Sequence, residues 1–191
     1  MLLRLLLTLL YLVAIFLVLY GLWMLIPFLY GLPWVPTKKE RIRKALRMAN
    51  LKPDELLYDL GSGDGRVLFI AAQEFGARAV GIEASILQYW FTQLRRLLSG
   101  SRSRVSVRRE NFYRADFGDA DLVFAFLTST ETALLQKKLE RDLKPGSRVI
   151  AVSADFSDWK PIAFDDADLL FLYKMPPQRG GLAAYLAERE C

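Results

Sequence analysis

No histidine occurs anywhere in the 191 residues, and the one cysteine, Cys191, is the last of them. The lack of imidazole excludes histidine general bases, His-containing zinc sites and Ser/His/Asp triads. A single cysteine excludes an internal disulfide and a cysteine-ligated cluster, and it fits a reducing compartment. No metal site is expected, and no role is assigned to Cys191. The chain also lacks internal repeats, low-complexity tracts and room for a second domain. Once the apolar N-terminal segment is set aside, about 140 to 150 residues remain, the usual size of one domain.

Apolar residues are plentiful, 53% of the chain, and they are densest over residues 2–32. From Leu5 to Ile26 the chain runs 22 residues without a charge, and a helix of that length reaches across roughly the 30 Å of a bilayer core. The apolar region of a secretory signal peptide is shorter, about 7 to 15 residues, and ends at small residues. Here the run continues into Trp23, Pro27, Phe28, Tyr30 and Trp34, bulky groups suited to an interfacial belt. A retained single-pass anchor is expected over residues 1–34.

The net charge is +5 at pH 7. Basic residues cluster at Lys38, Lys39, Arg41, Arg43, Lys44 and Arg47, and again from Arg102 to Arg109. Only Arg4 precedes the apolar run, so the excess of Lys and Arg after it predicts a single-pass protein with its folded domain facing the cytoplasm. That side carries the anionic lipid surface, which makes the bilayer the expected partner of the basic segment and removes the need for nucleic acid. Thr37 and Glu40 have the spacing of a capping box, and Ile42, Ala45, Leu46 and Ala49 recur at helical intervals. Residues 35–52 are therefore read as a basic amphipathic juxtamembrane helix. Whether its narrow apolar face meets lipid or the folded domain stays open.

After Lys52-Pro53-Asp54 short apolar runs alternate with helical stretches. Strands are predicted at Leu56–Leu60, Ala79–Ile82, Val105–Arg108, Asp121–Leu127, Arg148–Val152 and Asp168–Tyr173, with helices at Val67–Phe75, Ile86–Leu98 and Glu131–Leu143. Such alternation predicts an α/β fold whose mostly parallel sheet carries helices on both faces. Only about a dozen residues separate the third and fourth strands, and the stretch from Asp155 to Asp168 has no helical period, so two crossover helices should be short or missing. The domain is placed at residues 53–175 and a C-terminal tail at residues 176–191.

The run Tyr58-Asp59-Leu60-Gly61-Ser62-Gly63-Asp64-Gly65-Arg66 lies where a strand hands over to a helix, the ligand-binding edge of such a sheet. Glycines there permit positive φ and close backbone approach, and the helix N-terminus offers free N–H groups. A dinucleotide fingerprint needs glycine where Arg66 stands, and no G-x-x-x-x-G-K-[ST] run occurs. What remains is an acid, one residue, then G-x-G-x-G. It resembles motif I of the class I methyltransferases that use S-adenosyl-L-methionine. The resemblance implies a Rossmann-like fold and places Asp59, Gly61, Ser62, Gly63 and Gly65 at the cofactor. About 20 residues on, Glu83 ends the second strand, where a carboxylate accepts from both hydroxyls of an unphosphorylated ribose. Family members commonly hold the adenine amino group with an acid after the third strand. Asn111 takes that place here, an amide that can still accept.

Together with the apolar helix, Val35-Pro36-Thr37, Leu143 to Ile150 and Trp159-Lys160-Pro161, the loop resembles that of the small membrane-associated lysine methyltransferases. That group modifies the adenine nucleotide translocase and the c-ring protein of ATP synthase, and it has prokaryotic relatives. The resemblance implies methyl transfer to a lysine of a membrane protein at the membrane surface. Alternatives are a lipid or small-molecule methyltransferase and an inactive cofactor-binding membrane scaffold. The fourth strand ends in Phe126-Leu127-Thr128-Ser129, without the Asn/Asp-Pro-Pro-Tyr clamp of enzymes that methylate amide or base nitrogens. Thr128, Ser129 and Asp155 sit at strand ends where they could orient an amine, but each reads first as a plain loop residue, and no catalytic residue is assigned.

Overall fold

A computed structural model describes residues 1–29 and 37–189, with side chains described for residues 1–22 of the first stretch. The side chains of the aromatic belt expected from Trp23 to Trp34, the Val35-Pro36 pair and Cys191 lie outside what is described. Helix α1 (Leu2–Leu29) forms a unit of its own, and the chain from Thr37 onward forms another. Within α1, the 21 residues Leu2–Leu22 have a mean hydropathy of 2.7, long and apolar enough to cross a membrane.

The second unit begins with α2 (Lys39–Met48). A seven-stranded sheet follows in the order β3-β2-β1-β4-β5-β8-β7. Strands β1 (Leu56–Leu60), β2 (Arg78–Ile82), β3 (Val105–Arg108), β4 (Leu122–Phe126) and β5 (Arg148–Val152) are parallel. Strands β8 (Leu170–Lys174) and β7 (Ala163–Asp165) close the edge antiparallel. The crossovers are α3 (Arg66–Glu74), α4 (Ile86–Leu98) and α5 (Ser129–Asp142). No helix joins β3 to β4 among the described residues, and none lies between Asp155 and Asp168, as the spacing predicts.

Buried on both faces, β4 and β5 read as nearly continuous apolar runs. Over one face Ile42, Leu46, Leu68 and Phe69 meet Leu122, Phe124 and Ile150. Over the other, Leu135 and Leu139 of α5 join Phe117, Phe156, Trp159 and Tyr173. Trp159, noted as a family marker, is completely buried, and its indole N–H donates to Glu140 at 2.6 Å.

Helix α2 starts one residue later than a Thr37 cap predicts. Its N-cap is Lys38, without a side-chain cap bond, so the Thr37/Glu40 box does not form. The apolar face of α2 is part of the domain core, with Ile42, Ala45 and Leu46 at 0% exposure. Three of the six bases from Lys38 to Arg47 are tied down as well. Arg43 pairs with Glu40 and Glu74, Lys44 bridges Asp165 and Asp168, and Arg41 donates to the Asp168 carbonyl and the Ser153 hydroxyl. Lys38, Lys39 and Arg47 remain exposed.

The expected tail differs most. Gln178–Arg179 forms β9, antiparallel to β6 (Trp159–Lys160), and Gly181–Arg189 forms α6. The helix is seated closely, since a Cβ on Gly181 would stand 2.6 Å from the Ser157 carbonyl oxygen. The partner of β9 lies far back in the chain, so no local pattern announces the pairing.

Candidate functional site

The glycine loop hangs from the carboxyl end of β2. The N–H groups of Gly61 and Ser62 both donate to the Ile82 carbonyl, at 2.9 and 3.1 Å. Gly61, Gly63 and Gly65 have φ of +80°, +53° and +74°, the left-handed region that side chains resist. Gly81, in the middle of the register between β1 and β3, is needed for a different reason. A Cβ there would lie 2.5 Å from Ser62 Oγ and 2.7 Å from Leu68 Cδ1, so the loop and α3 approach the strand through the missing side chain.

Helix α4 clamps the loop from the other side. Thr92, fully buried, donates its hydroxyl proton to the Gly63 carbonyl at 2.8 Å, and Arg95 donates to the Asp64 carbonyl at 3.0 Å. At the start of α3, Arg66 pairs with Asp64 at 2.6 Å and donates to the Thr37 carbonyl at 2.8 Å, which ties the beginning of the folded unit to the loop. None of these partners carries a sequence signal except Gly81, since a lone glycine within a strand marks a close approach.

Glu83, 8% exposed at the end of β2, accepts from the Gly63 N–H at 2.7 Å and from the Ser85 N–H at 2.8 Å. Burial pushes its carboxyl up against these stabilising N–H donors. Asp59, 4% exposed at the end of β1, lies well above the usual carboxylate range because it is buried, with Glu83 and then Asp64 adding repulsion. No hydrogen bond or ion pair offsets its charge among the described residues. Three acids in one place, of which only Asp64 has a counter-ion, disfavour a phosphate and favour a ligand that brings positive charge and hydroxyls. Among the described residues, the buried side-chain atoms Ser62 Oγ, Ser85 Oγ and Gln88 Oε1 lack partners, and all three belong to the loop or the start of α4. Buried polar atoms of this kind call for a ligand. The residues therefore fit a bound S-adenosyl-L-methionine, which carries a sulfonium, an ammonium and a ribose diol.

Asp59, Gly61, Ser62, Gly63, Gly65 and Glu83 are thus brought together. Asn111 follows β3 and stands apart in kind. It is exposed, and its amide oxygen accepts from the Tyr113 N–H at 2.9 Å, an Asx turn. The backbone nearby does reach the site, since the Glu110 N–H donates to the Glu83 carbonyl at 3.2 Å. Among the candidates for orienting an amine, Thr128 caps α5, where its hydroxyl and its N–H both meet Glu131 Oε2, at 2.8 and 3.0 Å. Ser129 opens the same helix, and Asp155, partly buried after β5, lies near Tyr173, whose hydroxyl is raised chiefly by burial and further by Asp155. Tyr113, raised by burial and by Glu131, brings the segment after β3 to the rim beside the start of α5. Opposite, Arg41 of α2 reaches over the Phe126 ring at 5.8 Å, so α2 supplies cover at the ends of β4 and β5.

The ANTKMT methyltransferase domain matches residues 59–163. Over 130 residues the chain is 35% identical to a protein-lysine N-methyltransferase of Saccharolobus islandicus (strain REY15A), covering 68% of this chain and 81% of that one. It is 32% identical over 151 residues to the lysine N-methyltransferase of Mus musculus that is named for the c-subunit of ATP synthase, covering 78% of this chain and 60% of the relative. With the adenine nucleotide translocase lysine N-methyltransferase of the same organism it shares 30% identity over 142 residues, covering 72% of this chain and 60% of the relative. The chain thus spans about three fifths of the length of the mouse relatives. Among solved structures, it is similar to an RNA methyltransferase from Salinibacter ruber in complex with S-adenosyl-L-homocysteine. That likeness has a TM-score of 0.73 and 30% identity, over 76% of this chain and 97% of that one.

Proposed function

The chain belongs to the ANTKMT methyltransferase family, and from that membership we propose that it methylates a lysine of a membrane protein, using S-adenosyl-L-methionine, while α1 anchors it in the bilayer. The observation that carries the cofactor part of the reading is the buried, uncompensated Asp59 beside Glu83 under the glycine loop. Relatives named for lysine methylation of the ATP synthase c-subunit and of adenine nucleotide translocase support the substrate class.

When bound, the cofactor supplies an electrophilic methyl group on a sulfonium. The chain's own contribution is positioning. Asp59 holds positive charge, Glu83 accepts from the ribose while fixing the Gly63 N–H, and the loop's backbone closes around the ligand. Asn111 enters the proposal in altered form. Its oxygen serves the Tyr113 N–H, so the group left over is an NH₂ donor, suited to a ring nitrogen of adenine more than to its amino group. A lysine ammonium has no lone pair for attack, so it must shed its proton on entering the site, which desolvation favours. The orientation proposed for α1 places the catalytic domain on the cytoplasmic side, as the distribution of Lys and Arg suggests.

The test is incubation of the full chain with radiolabelled S-adenosyl-L-methionine, host membranes and host RNA. Label recovered as methyl-lysine in a membrane protein supports the reading. Label confined to the lipid fraction, or to RNA as the name of the Salinibacter relative would suggest, overturns it.

A further inference from the structure

Helix α4 is inside out by the usual measure of a helix on a folded domain. Its fully buried side chains are the polar Gln88 and Thr92, because that side of the helix faces the glycine loop. The exposed positions Ile86, Leu87, Trp90, Phe91 and Leu94 are large and apolar, and so are Leu97 and Leu98 in the last turn. Exposure reaches 62% at Trp90 and 81% at Leu98. A domain does not ordinarily leave a contiguous face of this kind to water.

Along the chain, the charges next to this face have one sign. From Ala84 to Arg109 the chain contains six arginines and no acid. Arg95 and Arg96 flank the apolar stripe and donate only to uncharged oxygens, Arg95 to the Asp64 carbonyl and Arg96 to the Gln93 amide and the Arg102 carbonyl. Arg102 and Arg109 are exposed and enter no ion pair among the described residues. Trp, Phe and Leu on one face with arginines beside them is the composition of a helix that lies in a membrane interface.

We propose that the outer face of α4 seats on the surface of an anionic lipid bilayer, giving the catalytic domain a lipid contact of its own, distinct from the candidate span α1. The proposal rests on the membrane reading above. Trp90, Phe91 and Leu94 enter the boundary between headgroups and acyl chains, and Arg96, Arg102 and Arg109 meet the anionic headgroups. Because the inner side of the same helix holds Gly63 and Asp64 through Thr92 and Arg95, lipid contact and the cofactor loop share one rigid element.

The single cysteine makes the test direct. In the full chain carrying Cys191→Ser, an environment-sensitive fluorophore is placed on Leu94→Cys, or on Lys137→Cys of α5 as a control. Both variants are checked for binding of S-adenosyl-L-homocysteine and reconstituted into vesicles of phosphatidylcholine with phosphatidylserine. The expected result is a blue-shifted Leu94 label quenched several-fold more by doxyl lipids than the Lys137 label, with the difference reduced when phosphatidylserine is omitted. If the chain floats with the vesicles while the Leu94 label stays as wet as the control, the α4 proposal is overturned and the anchor stands. A blue shift that doxyl lipids do not quench, growing with the protein-to-lipid ratio, assigns the face to a second copy and also overturns it. Failure of the full chain to float removes the membrane reading itself, and the α4 proposal with it.

Discussion

The backbone N–H of Gly63 donates to Glu83 Oε2 at 2.7 Å, so the apex of the glycine loop and the carboxylate at the end of β2 form one unit. If Glu83 holds the ribose as proposed, loop shape and ribose recognition cannot be altered independently. The Ser85 N–H on Glu83 Oε1 locks the carboxylate plane from the other side.

Glu83→Gln keeps the shape but turns one acceptor oxygen into a donor facing either the Gly63 or the Ser85 N–H. Loss of a charged hydrogen bond costs about 1.5 to 3 kcal/mol, or roughly 10- to 150-fold in cofactor affinity. Calorimetric titration with S-adenosyl-L-homocysteine measures it, and an affinity within about threefold of the parent's would mean that another residue holds the ribose.

Gly81→Ala inserts a Cβ 2.5 Å from Ser62 Oγ and 2.7 Å from Leu68 Cδ1. The loop and α3 must both shift, and overpacking of this kind costs about 1 to 3 kcal/mol of stability. Cofactor affinity should fall with it. Gly61→Ala separates the two causes, because Gly61 has open space around it and only a φ of +80° to violate. Denaturant unfolding of both variants should therefore show loss in each, with the larger loss at Gly81.

Asp59→Asn should raise the melting temperature of the cofactor-free protein while weakening cofactor binding. A carboxyl whose folded pKa lies above its unfolded value binds its proton more tightly when folded, so its charge opposes folding at neutral pH. Stability attributable to Asp59 therefore falls as pH rises from the unfolded toward the folded pKa. The asparagine variant, without that charge, should show a flatter profile of melting temperature from acid to neutral pH. A lower melting temperature at neutral pH would contradict the reading.

Cofactor affinity itself should increase as pH rises, because the cationic ligand needs Asp59 and Glu83 ionised and burial holds both up in the free protein. Binding should release protons, read as a dependence of the calorimetric enthalpy on buffer ionisation. Asp59→Asn should reduce the number released.

A truncated chain starting near Trp34 should still bind S-adenosyl-L-methionine, since the loop and Glu83 lie well outside the deleted segment, yet methylate native membranes poorly at matched low concentration. Tethering raises the effective concentration of a membrane substrate without altering the chemistry. Neutralising Lys38, Lys39 and Arg47, the α2 bases left exposed, should give a milder defect that is clearest at low salt. Arg41, Arg43 and Lys44 belong outside that test because they hold α2 to the domain.

Local pattern alone determined the alternation of strands and helices, and Ile86–Leu98, Val105–Arg108 and Arg148–Val152 fall where their periodicity places them. It also put the glycine run between a strand and a helix and Glu83 at the end of β2, because strand and crossover lengths set where those edges fall, while the ligand assigned to them came from the family resemblance. Tertiary structure decided the rest. Only the assembled sheet decided that the apolar face of α2 joins the core, put Thr92 and Arg95 on the loop, and folded Gln178–Arg179 onto Trp159–Lys160. These are pairings between residues far apart in the chain, and periodicity carries no term for them. The exposed face of α4 belongs to the same class, since its apolar spacing predicts a buried side, and only packing reveals that the loop claims the polar side instead.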